Sequence, residues 1–391
     1  MSAFPATAGH PWPRLVFWET TAACNLVCSH CRRTDLADEV SPDELSQKEA
    51  EALIDEISRW ERTILVLSGG EPLMRPDILT LMGYAKQSGL IVALATNGTL
   101  IDPDLAGRIG ESGVNRVSIS LDGADEATHD TFRRLPGSFR SAVAGARALR
   151  AQGVPLQINV TVARHNASQM DQMVILAKSL GAVALHLFLL VPVGCGMEIA
   201  EEQTLQADAY EETLNWLYET ERREQGLELR ATCAPHYFRV VRQRQAGNAD
   251  RTILSPSARA DHPGTGSSGH ERGALHAATR GCLAGTGVCF VSHTGKVYGC
   301  GYMPIEAGDL RRNSLADIWQ TSEFFAELRD LDRLGGKCGR CGYARVCGGC
   351  RARAFGSTGD HLAEEPYCAY QPGGGSALLE ADTERRVEVR S

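Results

Sequence analysis

Three cysteines fall within eight residues, in the run Cys24-Asn-Leu-Val-Cys28-Ser-His-Cys31, so three thiolates can converge from a single loop. A 4Fe-4S cluster has four irons and prefers four thiolates, so a three-thiolate loop leaves one iron open to an outside ligand. A zinc site completed by His30 is the alternative that the spacing leaves open. Eight further cysteines lie between Cys282 and Cys368. Among them the run Cys338-Gly-Arg-Cys341-Gly-Tyr-Ala-Arg-Val-Cys347-Gly-Gly-Cys350 holds two tight pairs, and its glycines let the backbone wrap a cluster. Paired cysteines also suit a zinc ribbon. Cys195 and Cys233 stand outside both groups, and a lone cysteine is most often a small buried hydrophobe. The chain has thirteen cysteines and no export signal, so they read as metal or cluster ligands rather than disulfides.

The elements that must position these groups alternate along the first half of the chain. Candidate strands fall at 15–19, 63–67, 92–96, 116–121, 157–162 and 184–190, with helical patterns between them. Ser46 and Glu49 make a capping box, and Ala50, Leu53, Ile54 and Ile57 form one apolar face behind it. Gly89, Gly113, Gly153 and Gly181 each sit where a helix should stop. Repeated βα units imply an α/β fold with a parallel sheet. Six repeats are too few for a complete eight-fold barrel, so a partial (β/α)6 barrel is expected, with functional loops at the C-terminal strand ends. The first such loop carries Cys24. We expect the barrel over residues 14–230, a bridging segment over 231–280, a small cysteine-rich domain over 281–375 and a tail over 376–391. Residues 248–279 are rich in Gly, Ser, Pro and charge and are expected to be a mobile excursion.

The 391 residues are 43% hydrophobic and carry a formal net charge of −8, which argues against a general nucleic-acid surface. The longest apolar run, 183–193, is interrupted by His186 and reaches only about half of the roughly 20 residues a membrane span needs. With no secretion signal at the N-terminus, a cytoplasmic protein without membrane contacts is expected.

The spacing of Cys24, Cys28 and Cys31 resembles the signature of the radical S-adenosylmethionine (SAM) superfamily, over roughly residues 14 to 195. A second match is Thr63-Ile-Leu-Val-Leu-Ser-Gly-Gly-Glu-Pro72, one βα unit later. In that family the open iron is chelated by the SAM methionine, and the reduced cluster cleaves SAM to a 5'-deoxyadenosyl radical. The resemblance implies that His30 packs near the adenine, that Gly69 and Gly70 let the backbone approach the SAM amino group, and that Glu71 helps hold it. It likewise places Asn97, Ser120, Asp122, Arg133 and Asn159 around SAM or substrate. Arg133 suits the SAM carboxylate, because a guanidinium fork matches that group.

Cys282, with Gly295 and Cys300 downstream, resembles the opening of the C-terminal extension called SPASM, and Cys368 its last ligand. That resemblance implies one auxiliary 4Fe-4S cluster on Cys338, Cys341, Cys347 and Cys368, and a second on Cys282, Cys289, Cys300 and Cys350. Two residues separate Cys347 from Cys350 where the family has three, which leaves the count at one or two.

Narrower features are Phe17-Trp-Glu-Thr-Thr, Cys31-Arg-Arg, Thr232-Cys-Ala-Pro-His-Tyr-Phe-Arg239 and Cys347-Gly-Gly-Cys-Arg-Ala-Arg353. Together they resemble the haem-biosynthesis branch of the superfamily, most closely its haem b synthases. The resemblance implies oxidative decarboxylation of two propionates of iron-coproporphyrin III to vinyl groups, fed by an electron donor such as ferredoxin or flavodoxin. Arg239, with Arg242 and Arg244, is a basic patch suited to the substrate carboxylates, and His236 or Cys233 could ligate its iron. Rival readings are a deacetylase of didecarboxysirohaem or a related haem-side-chain enzyme, a SPASM enzyme that modifies peptides, and a non-catalytic iron-sulfur carrier or zinc-stabilised scaffold. No side chain stands out as an acid or base, which fits chemistry that depends on positioning.

Overall fold

In the computed structural model, residues 12–34, 37–247 and 281–373 are described. The expected excursion at 248–279 and the tail at 376–391 lie outside them.

Each early strand hands over to a helix, the first through the long loop 20–46 that carries the three cysteines, and the strands add one by one to a single sheet. The strands are β1 (Leu15–Glu19), β2 (Ile64–Ser68), β3 (Ile91–Thr96), β4 (Arg116–Ser120), β5 (Leu156–Val162), β6 (Ala184–Leu189) and β7 (Glu228–Thr232), then β8 (Val288–Val291), β9 (Lys296–Tyr298) and β10 (Glu306–Asp309). Their order across the sheet is β10-β9-β8-β1-β2-β3-β4-β5-β6-β7. β1 to β7 are parallel and in sequence order, as right-handed βα crossovers produce. The expected α/β partial barrel is thus present, with a seventh strand beyond the six repeats. β7 reads Glu-Leu-Arg-Ala-Thr, too polar to stand out as a strand, and it forms the sheet's edge beside β6.

Helices α1 (Gln47–Ser58), α2 (Ile78–Gln87), α3 (Pro103–Glu111), α4 (Glu126–Arg133), α5 (Ser138–Ala151) and α6 (Met170–Ser179) cover the outer face. The capping box of α1 forms, with Ser46 accepting from the Glu49 amide and Glu49 reaching back, and its buried face is Ala50, Leu53, Ile54 and Ile57. Alternation along the strands separates two surfaces. On β1, Val16 and Trp18 are fully buried under the helices, whereas Leu15 and Phe17 face the lumen around which the sheet curls.

The cysteine-rich segment is not a separate bead. β8 pairs in parallel with β1, and β9 and β10 return antiparallel, so the barrel sheet continues into it. One carboxylate fastens this junction. Glu19, at the end of β1 and 3% exposed, pairs with Arg32 and Arg33 of the cysteine loop (Arg33 at 3.2 Å) and with His293 of the β8–β9 turn at 2.7 Å. Burial alone would push the Glu19 carboxyl up, but Arg32, the His293 hydrogen bond and Arg33 outweigh it and hold the group well below the ordinary carboxylate range. Among the described residues no helix is long and apolar enough to cross a membrane.

Removing that charge takes the carboxylate away from the partly buried Arg32 and the buried Arg33. Glu19→Gln is expected to destabilise the protein by about 3–5 kcal/mol at pH 7 in chemical denaturation. Because the folded-state pKa lies below the unfolded one, the stabilisation is complete above about pH 4.5 and fades as pH falls. The gap between variant and parent should therefore narrow on acidification, and a pH-independent gap would contradict the charge argument.

Candidate active site

The first two strand-end loops meet backbone to backbone. The Gly70 amide donates to the Thr21 carbonyl at 2.8 Å and the Glu71 amide to the Ala23 carbonyl at 2.7 Å. A Cβ on Gly70 would lie 2.4 Å from the carbonyl oxygens of Ala22 and Ala23, and one on Gly69 2.9 Å from that of Thr21. Glycine is required here because two chains touch. This seam shapes the loop from which Cys24, Cys28 and Cys31 project.

Glu71 is fully buried and does not line the cavity. Its oxygens accept from the Thr96 hydroxyl and the Asn97 amide, each at 2.7 Å, so it braces the end of β3. Asn97 lines the cavity and bonds Asn25 of the cysteine loop at 2.8 Å, tying a third strand end to the first. At the end of β4, Asp122 is fully buried. It receives Arg133 Nε at 2.7 Å and the Thr161 amide at 2.7 Å, with His30 Nε2 at 3.4 Å. Burial would raise the Asp122 carboxyl, but Arg133 above all, with the Thr161 amide hydrogen bond, helps bring it down to about 2. Arg133 also points a nitrogen at Cys28 Sγ, 3.7 Å away, setting a fixed positive charge beside that sulfur. His30 stacks on Phe132, with ring centroids 4.2 Å apart, and burial keeps it neutral by lowering its pKa to about 3.

These groups open on one cavity of about 620 Å³ that runs along the lumen. Cys24, Cys28, Cys31, His30, Gly69, Gly70, Asn97, Ser120, Asp122, Arg133 and Asn159 all border it. Its middle is apolar, with Phe17, Val66, Phe188 and Phe290, and small side chains at Ala93, Ala95, Ser118 and Ala231 leave the lumen open where a complete barrel packs it. Arg14, just before β1, Arg116, the first residue of β4, and Arg230, in the middle of β7, border the same space, with Glu228 within 3.8 Å of Arg116 and 2.6 Å of Arg230. The sequence reading missed these arginines, since single residues on separate strands carry no motif.

The C-terminal cysteines form two sets. Cys338, Cys341, Cys347 and Cys368 surround a small pocket of their own. Amides of Tyr343, Gly349 and Glu365 point at the sulfurs of Cys341, Cys347 and Cys338 at 3.3–3.4 Å, an arrangement that suits a negatively charged cluster. Cys282, Cys300 and Cys350 border the large cavity instead. A buried ion pair, Arg353 to Glu365 at 2.9 Å, stands between the sets, and Glu365 also accepts the Cys350 amide at 2.7 Å.

His236 and Arg239 do not reach the large cavity. They border the small cysteine pocket, where Arg239 is paired with Glu211, while Arg242 and Arg244 are exposed on the helix Tyr237–Gly247. This placement removes the geometric support for His236 as a ligand of substrate iron and for Arg239 as a substrate carboxylate contact. Among the described residues no three of His, Cys, Asp or Glu close around one point as ligands of a single ion would. The donor sets fit larger groups, with three thiols on one loop and four around a pocket rich in amide donors.

The model of the radical SAM superfamily matches residues 18–177, and that of the SPASM iron-sulfur cluster-binding domain matches residues 282–351. The chain belongs to the radical SAM superfamily, and is an iron-sulfur enzyme that uses 4Fe-4S clusters and SAM. Its curated relatives include the "AdoMet-dependent heme synthase" of Methanosarcina barkeri, 47% identical over 92% of this chain and 97% of that one. The protein of the same name from Nitratidesulfovibrio vulgaris is 44% identical over 93% of this chain and 94% of its own. Among solved structures, Streptococcus suis SuiB bound to S-adenosylmethionine shares the fold at 15% identity, with a TM-score of 0.69 over 92% of this chain and 78% of that one.

Gly70→Ala forces the two loops apart, at a cost of about 1–3 kcal/mol. Reconstituted protein carrying it should hold less iron per chain and cleave SAM at least about tenfold more slowly, since a small misplacement of a reactive group is costly. Gly107→Ala, where a Cβ meets nothing within 4 Å, should change neither.

Proposed function

We propose that this enzyme is a haem synthase, which converts two propionate side chains of iron-coproporphyrin III to vinyl groups and so forms haem b. The observation that carries the reading is near-full-length similarity, at 44–47% identity, to proteins named AdoMet-dependent heme synthase. The cavity supports it chemically. A flat apolar macrocycle bearing four carboxylates suits a lumen with aromatic and small walls and arginines among its lining residues.

Cys24, Cys28 and Cys31 would hold the SAM-binding cluster, whose chemistry when reduced would be to give one electron to SAM, splitting it into methionine and a 5'-deoxyadenosyl radical that takes one hydrogen atom from substrate. The chain's own residues position the partners. Arg133, aligned by Asp122, presents charge to the SAM carboxylate, while Asn97 and the Gly69-Gly70 backbone border the amino-acid end. His30, neutral and stacked on Phe132, offers an uncharged ring face for the adenine. Arg14, Arg116 and Arg230 receive the propionates not under attack. Each reacting propionate loses a β-hydrogen atom, then carbon dioxide and one electron as the double bond forms. The cavity wall bearing Cys282, Cys300 and Cys350 is where this chain could hold the acceptor. An external donor such as ferredoxin or flavodoxin would supply the reducing electron for each SAM.

The test is an anaerobic assay of the reconstituted, reduced enzyme with SAM and iron-coproporphyrin III, following porphyrin mass and 5'-deoxyadenosine. Two successive losses of carbon dioxide plus two hydrogens, with one 5'-deoxyadenosine each, are expected. Formation of 5'-deoxyadenosine with unaltered porphyrin would exclude this substrate and turn attention to didecarboxysirohaem. In the same assay Arg116→Gln should weaken porphyrin binding by roughly tenfold or more, as loss of a charge-assisted hydrogen bond does, with SAM binding unaffected.

A further inference from the structure

Four cysteines were expected around the second auxiliary cluster, but one of them faces the wrong way. Along β8 the side chains alternate, and Val288 and Phe290 border the large cavity. Cys289 lies between them and therefore points to the opposite face, where it is fully buried in the apolar core. The parallel register sets it opposite Val16 of β1, which is also fully buried on the helix side. Bringing Cys289 to the cavity would need a one-residue slip of β8, which would turn Val288 and Phe290 into the core.

Cys233 occupies the missing position. It follows β7 directly and borders the large cavity together with Cys282, Cys300 and Cys350. The sulfurs of Cys350, Cys300 and Cys282 lie close enough to Cys233 to act on it electrostatically, and none of them acts so on Cys289. Its backbone is left-handed, φ +54°, a conformation uncommon outside glycine that aims the side chain out of the strand direction.

We propose that Cys233, and not Cys289, is the fourth protein ligand of the auxiliary cluster held by Cys282, Cys300 and Cys350. This rests on reading the C-terminal cysteines as cluster ligands. It closes the cluster to outside ligands, because four thiolates satisfy four irons. The group on that wall then exchanges electrons rather than binding substrate, and Cys233 is not available to the substrate's iron. It also ties the last strand of the barrel to the C-terminal segment through the cluster.

The test compares iron and sulfide content and low-temperature EPR, before and after reduction, of the reconstituted parent with those of Cys233→Ala and Cys289→Val. The parent should carry about twelve irons, four for each of three clusters. Cys233→Ala should lose about four irons, or about one with the signal of a 3Fe-4S remnant, and Cys289→Val should match the parent in both readouts. Full iron with an unchanged spectrum in Cys233→Ala would overturn the assignment, as would equal losses in both variants. A parent carrying only the four irons of one cluster would overturn the cluster reading itself, and the assignment with it.

Discussion

Two peptide hydrogen bonds between the loop after β1 and the loop after β2 set the geometry on which the rest of the site depends. They bring the chains so close that Gly70 has no room for a methyl group. Once the seam is closed, the three cysteines project from a loop whose path is fixed on one side. Glu71 then turns inward to hold Thr96 and Asn97, and Asn97 reaches back to Asn25. Asp122 and Arg133 extend the same logic by one more strand, placing a charge beside Cys28. The site is a relay of strand ends, each positioned by its neighbour.

Local signals in the sequence were enough for the first half of this arrangement. The cysteine loop, the Gly-Gly-Glu turn and the α1 capping box are short-range patterns, and the structure puts the cysteine loop and the Gly-Gly turn in contact. What escaped depends on long-range packing. β7 is short and polar, so nothing in Glu-Leu-Arg-Ala-Thr announces a strand until β6 lies beside it. Cys289 sits in Val-Cys-Phe-Val, a strand buried on both faces. Such a run has no polar alternation to say which face is which. His236 and Arg239 were judged by residue type alone, and both are turned toward the small cysteine pocket. Arg14, Arg116 and Arg230 lie far apart in sequence and border one cavity only because β1, β4 and β7 belong to the same sheet.

The lumen itself reflects an exchange of stability for space. Side chains that would fill it in a closed barrel are alanine and serine on β3 and β4. The outer face compensates, with a continuous apolar layer between sheet and helices from Val16 to Tyr218. The catalytic volume thus lies on one surface of the sheet and most of the folding energy on the other.

The pairing of β8 with β1 gives the cysteine-rich segment a role beyond carrying ligands. β1 is hydrogen-bonded on both sides, by β2 and β8, and its residues are largely buried. Without the last third of the chain it would become an open, apolar sheet margin with a row of unmatched peptide groups, the kind of edge on which chains stack and aggregate. The segment that brings the auxiliary cysteines is in that sense also the cover that keeps the barrel's first strand from recruiting a second molecule.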